Sequence, residues 1–189
     1  MTDKLLDLIG KKYTLCPISA GEFASLKAKG MTFSVSAYTA EGLGHVSVMR
    51  AKGFFGLMKM DTLIVELYDT QLSAPDLSAL DAAKQAFSSL EERDPGEHWY
   101  DGIKLSQSIS KKGKKAQTAQ PDALTLAHFE AYLGADAHNV TDMAAKSERS
   151  AAYVNGLLEN GGPSTDVFKK ELGEDKTARL FKNVLFGIG

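Results

Sequence analysis

Thr32-Phe33-Ser34-Val35-Ser36-Ala37-Tyr38-Thr39 is the stretch that sets the fold class. Phe33, Val35 and Ala37 alternate with Thr32, Ser34, Ser36 and Tyr38, and a period of two sends the two sets to opposite faces of a strand. One face is apolar, so the segment reads as a half-buried strand. Glu41-Gly42-Leu43-Gly44 follows as a turn. His45 to Ala51 alternates again, with Val46, Val48 and, in that register, Arg50 on one face, so the two segments form a hairpin. Gly53-Phe54-Phe55-Gly56 is a second turn. Leu57 to Tyr68, rich in Met, Ile, Leu and Val, adds one or two strands. An antiparallel meander assembles these strands most simply.

Outward from the sheet the period becomes helical. On the N-terminal side, Thr2 caps a helix to Lys12 with Leu5, Leu6 and Ile9 on one face. Cys16-Pro17 breaks the chain, and Ala20 to Lys29 reads as a helix stopped by Gly30. On the C-terminal side, Asp76 or Ser78 caps a helix through Leu90, with Leu77, Leu80, Ala83 and Phe87 facing inward. His98 to Ser110 reads as a loop and then a short strand, Ile103 to Ile109, and Lys111 to Lys115 reads as a basic loop. Pro121 opens a helix with Leu126, Phe129 and Leu133 on one face, closed by Gly134. Thr141 caps a helix through Glu159. Ser164 caps Thr165 to Leu172, and Asp175 to Phe186 places Leu180, Phe181, Val184 and Leu185 on one stripe. Helix, then sheet, then helices implies α+β, an antiparallel central sheet flanked by helices in an α/β/α sandwich, as a single domain over residues 1–189.

The 189 residues are 43% hydrophobic and 24% charged, which suffices for one buried core. A net charge of −2 points to neither nucleic acid nor a membrane surface. No apolar run approaches a membrane span, and the N-terminus lacks the apolar region of a signal peptide. With one cysteine, Cys16, no intrachain disulfide forms, and the expectation is a cytoplasmic protein with a buried structural thiol. His45, His98, His128 and His138 are scattered, so no metal site is expected.

Three groups carry candidate chemistry. Arg50 and Lys52 lie on or beside the central strands. A cation on a buried sheet face calls for an anion, such as a ligand carboxylate, whereas a register shifted by one exposes Arg50 to solvent. Lys111, Lys112, Lys114 and Lys115 form a basic cluster that is either a solvated loop or a docking site for an acidic partner. His98-Trp99-Tyr100-Asp101 gathers aromatic and titratable groups, read as an anchor over the core or as a site.

Three stretches resemble the ferredoxin-dependent bilin reductases. These are His45-Val-Ser-Val-Met-Arg50 followed by Leu57-Met-Lys-Met-Asp-Thr-Leu-Ile-Val65, then His98-Trp-Tyr-Asp-Gly-Ile-Lys-Leu-Ser106, and a tail of Phe168-Lys-Lys-Glu-Leu-Gly173 with Val184-Leu-Phe186. The resemblance implies an α/β/α sandwich that binds a linear tetrapyrrole between the sheet and the C-terminal helices. It also implies that no cofactor is bound, that ferredoxin supplies electrons, and that acidic side chains with raised pKa supply protons. Asp61 and Asp69 are the candidate proton donors, and Arg50 and Lys52 the candidate partners of the pigment's propionates. Such binding needs a cleft that Phe33, Met58 and Leu180 leave open. The chain departs from the family where Val65 runs directly into Glu66-Leu-Tyr-Asp69, without the family's Pro-rich hairpin. The family's central His would fall near Thr62, and a second acidic position near Gly161-Gly162. A non-enzymatic binding module on the same scaffold is the alternative.

Overall fold

The computed structural model describes residues 2–52, 61–65, 76–113, 117, 119–135, 143–162 and 164–189. The turn expected at Gly53 to Gly56, both flanks of the strand expected over Leu57 to Tyr68, Asp69, Lys114, Lys115 and Thr141 lie outside these residues. The class is α+β, with antiparallel strands and packed helices, as the alternating and helical periods require. The chain divides into two compact units, one of residues 3–8 and 55–141, the other of residues 9–54 and 142–189. The first helix, α1 (Thr2–Gly10), stands where Thr2 and the Leu5, Leu6, Ile9 spacing put it.

The second unit is built on β3 (Met31–Ala40), which pairs antiparallel with β1 (Leu15–Ile18), β2 (Ser25–Ala28) and β4 (Gly44–Lys52). β4 runs opposite Thr32 to Ala40, almost all of β3, so it takes one edge. β1 and β2 therefore share the other edge end to end, β1 opposite Ala37 to Ala40 and β2 opposite Met31 to Ser34. Phe33, Val35 and Ala37 are buried while Ser34 and Ser36 are exposed, as the alternation demands. The helix expected over Ala20 to Lys29 is replaced by a 3₁₀ turn, Gly21–Phe23, and β2. The reason is local. Lys29 and Gly30 both take positive φ, +48° and +74°, the backbone of a tight two-residue hairpin turn. That turn folds Leu26 and Ala28 against β3, so Gly30 reverses a strand here rather than ending a helix.

Helices α4 (Met143–Asn160), α5 (Thr165–Leu172) and α6 (Glu174–Arg179) follow, and the chain then widens into a π-helical turn over Leu180–Leu185. Gly173, at φ +82°, makes the break between α5 and α6. The helical layer packs on the Phe33 face of the sheet through rings. Phe33 meets Phe168 edge-on at 5.3 Å, Phe168 meets Phe181 at 6.4 Å, and Phe181 stacks on Phe186 at 6.1 Å. Leu180 and Val184 are buried beside them. The π-turn leaves late carbonyls unpaired within the helix. Two donors from β4 take them: His45 Nε2 donates to Val184 O at 2.8 Å, and Ser47 Oγ to Leu185 O at 2.7 Å.

In the first unit, β7 (Ile109–Gly113) pairs antiparallel with β5 (Asp61–Val65) and with the short β6 (Glu91–Glu92). β5 thus belongs to a second sheet rather than to the meander expected with β3 and β4. The strand expected over Ile103 to Ile109 starts at Ile109 instead, because Asp101–Ile103 closes into a 3₁₀ turn. Lys111 to Gly113, expected in a loop, continues that strand. Helix α2 (Ser78–Ala86) is preceded by Asp76, whose Oδ1 accepts the Ser78 N–H at 2.9 Å. Helix α3 (Gln120–Gly134) opens at Pro121 and closes at Gly134 as its residues suggest. Its buried stripe is Pro121, Leu124, His128 and Leu133, while Leu126 and Phe129 are only half-buried.

Phe168, 1% exposed and in ring contact with both Phe33 and Phe181, ties the sheet to the helices of its unit. Phe168→Ala is expected to cost about 3–5 kcal/mol, measured by urea unfolding of the full chain. A loss below about 1 kcal/mol would contradict this packing.

Candidate functional site

The face of the four-stranded sheet opposite the ring layer is composed differently. Residues directly across an antiparallel pair share a face. Ser25, Ser34 and Arg50 therefore form one row across three strands, and Lys27, Thr32 and Lys52 form another. Further along, Ser36 stands opposite Val48, and Tyr38 opposite Val46. Lys27, Ser34 and Ser36 are exposed, and Tyr38, Val46 and Val48 are half-exposed. Strands lie about 4.8 Å apart, so Lys27 and Lys52 stand about 10 Å apart at the backbone. This face carries exposed Lys27, short hydroxyl side chains, and half-exposed Tyr38, Val46 and Val48, with Arg50 and Lys52 at register positions in the two polar rows. By register, Arg50 falls in the row of Ser34 and Lys52 in the row of Thr32. The space between the sheet and the C-terminal helices is occupied, since Phe33 is buried against Phe168 and Leu180 is fully buried.

The other expected residues fall elsewhere. Asp61 begins β5 opposite Gly113, and Thr62 follows it opposite Lys112. Lys111 is only 3% exposed and its Nζ contacts Glu92 Oε1 at 2.7 Å and Leu90 O at 3.4 Å. Lys112 Nζ pairs with Glu91 at 2.8 Å. The two lysines alternate across β7, and each is matched by a carboxylate of β6, so neither belongs to a free basic loop. Cys16, expected to be buried, is exposed on β1. It shares a row with Thr39 and His45, its backbone two strand spacings, about 10 Å, from that of His45. The His45 Nε2 is engaged by the Val184 carbonyl.

His98-Trp99-Tyr100-Asp101 is a self-paired turn. Tyr100 is buried, with His98 stacked on it at 4.9 Å and Trp99 edge-on at 5.2 Å. Asp101 accepts from Lys104 Nζ at 2.5 Å and from the His98 N–H at 2.8 Å. The lysine bond, then the backbone bond, hold the Asp101 carboxyl below the usual range. The arrangement serves as an anchor, with Trp99 and Ile103 partly exposed around it.

A second polar group, unread in the sequence, clasps the turn Ser106–Ser108 in the first unit. Lys84 Nζ donates to Ser106 O at 3.2 Å and to Ser108 O at 2.9 Å. His128 Nε2 donates to the intervening Gln107 O at 3.0 Å, a carbonyl being only an acceptor. Gln107 Nε2 donates to Asp81 Oδ2 at 3.0 Å. Desolvation, with Lys84 adding to it, lowers the His128 pKa below its ordinary 6.5 despite the Gln107 bond and Asp81. The i, i+3, i+7 spacing of Pro121, Leu124 and His128 was the available signal for His128. Asp81 and Lys84 also line an open cleft of about 620 Å³ with Ser88, Glu92 and Lys111.

Among the described residues no three or more His, Cys, Asp or Glu side chains are grouped to hold a metal ion. No helix among them is long and apolar enough to cross a membrane. No family model matches the chain, and a search of curated proteins gave no match.

Glu92 is mostly exposed, whereas Lys111 is not. Glu92→Ala would leave a buried ammonium with one long carbonyl contact and is expected to cost about 1–3 kcal/mol. Lys111→Met in that background removes the stranded charge while keeping the packing, so most of the loss returns. Urea unfolding of the two variants checks this; failure of Lys111→Met to restore stability would contradict the pairing.

Proposed function

We propose that the chain binds a flat, conjugated, carboxylate-bearing ligand on the open face of the four-stranded sheet, a linear tetrapyrrole being the class that the resemblance implies. The observation that carries this reading is the pair of rows Ser25–Ser34–Arg50 and Lys27–Thr32–Lys52. A tetrapyrrole has two propionates on neighbouring rings and an extended apolar body. The cationic end matches the propionates. Thr32, Ser34 and Ser36 add short hydroxyl donors and let a flat body approach the backbone. Val46, Val48 and Tyr38 supply apolar contact. This place differs from the one implied by the resemblance, because the ring layer fills the space beneath the C-terminal helices.

Reduction with electrons from ferredoxin is the activity that the resemblance attaches to such binding. The non-enzymatic alternative is binding alone. The ion pairs of Lys111 and Lys112 do not favour docking of an acidic protein at those positions.

Titrating biliverdin with the purified protein separates these readings. A saturable change in the pigment's absorption is expected. Lys27→Glu and Arg50→Glu should each weaken it roughly tenfold or more, since a charge-assisted hydrogen bond contributes about 1.5–3 kcal/mol. An unshifted spectrum at high protein concentration removes the binding claim. Unchanged affinity in both variants removes the face. With binding in hand, reduced ferredoxin either bleaches the bound pigment or assigns the chain as a binding module.

A further inference from the structure

We propose that His128 makes the Ser106–Ser108 turn an acid-released latch between α2, α3 and β7. Three consecutive carbonyls, those of Ser106, Gln107 and Ser108, are held by two side chains: Lys84 takes the outer pair and His128 the middle one. Within the turn, Ser108 N–H donates to Leu105 O at 3.0 Å. These donors and the Gln107–Asp81 bond attach the turn to α2 and α3.

The two donors differ in how they respond to acid. The Lys84 Nζ is satisfied by two carbonyls. His128 is 2% exposed and donates as the neutral imidazole. A proton on His128 would create a second positive charge next to the carbonyls that Lys84 already uses, with little water to solvate it. The surrounding groups offset this charge only in part: the Gln107 carbonyl favours it, and burial outweighs that gain. From α2, Lys84 opposes it and Asp81, hydrogen-bonded to Gln107, favours it. From β7, Lys111 and Lys112 are matched by Glu92 and Glu91. β5 contributes only Asp61, in register with Gly113, at the far end of β7 from Ile109.

The sign follows from the lowered pKa. The folded state prefers the neutral ring, so His128 contributes stability above the ordinary value of 6.5. That contribution is lost as pH falls through 6.5 and then through the lower folded value. Release of the turn frees Lys84, which also lines the adjoining cleft, so acid alters both attachment and the cleft wall.

Amide hydrogen exchange over residues 105–110 of the full chain, corrected for the intrinsic rate, tests the latch at pH 7.5 and pH 5.5. A several-fold fall in protection is expected at the lower pH. His128→Gln keeps a neutral donor and should hold protection constant across that range. Lys84→Met should lower protection at both pH values. Wild-type protection that does not change with pH, or an acid loss persisting in His128→Gln, overturns the proposal. Should His128→Gln fail to fold, NMR titration of the His128 ring in the wild-type chain decides. A ring that titrates at or above 6.5 while the turn stays protected also overturns it.

Discussion

The burial of Phe33, Val35 and Ala37, with Phe33 against the ring of Phe168, is the interaction on which the second unit depends. β3 is the strand that β1, β2 and β4 all share, so its register sets theirs. Once its odd-numbered residues to Ala37 are committed to the Phe168 and Phe181 layer, Thr32, Ser34, Ser36 and Tyr38 must turn the other way. Every row across the sheet inherits that division. The cationic rows of the open face and the occupied space beneath the helices are two results of one alternation. A ligand-binding reading therefore has to use the hydroxyl-lined side.

Among the described residues of the first unit, polar contacts surround a small apolar cluster. Leu90, Ile109 and Leu124 form an apolar cluster with Phe87 against it. Around this cluster, buried or half-buried cations satisfy backbone carbonyls and carboxylates. Lys111 pairs with Glu92 directly opposite it on β6, and Lys84 and His128 hold the turn before β7. Buried charges of this kind add little net stability compared with apolar packing, because desolvation offsets the Coulomb gain. Their geometric demands are strict, so they act chiefly on which backbone arrangement is adopted.

The strand pattern around β3 and β4 was legible because a period of two with one apolar face leaves few alternatives. Pro121, Gly134 and Gly173 marked helix ends through their restricted or left-handed backbone preferences. Ala20 to Lys29 misled because Leu26 and Ala28 suit a helix locally, while the deciding fact was the positive φ of Lys29 beside Gly30. The pairing of β5 with β7 was hidden because partner choice in a sheet is a non-local property. Lys111 and Lys112 looked like one solvated group because adjacent charges give no hint of opposite faces until a strand is assigned. The cationic rows needed the register of three strands, although Arg50 and Lys52 were visible individually. Lys27 joined them only when β2 replaced a helix.

β1 and β2 meet the same edge of β3 one after the other, separated by the Gly21–Phe23 turn. The outer rim of the sheet is thereby cut into two four-residue pieces. Pro17 lies within the first piece and has no N–H to donate. A foreign extended chain approaching that rim would find a broken ladder instead of a continuous template. The interruption guards this border of the molecule against fibre-like growth by strand addition.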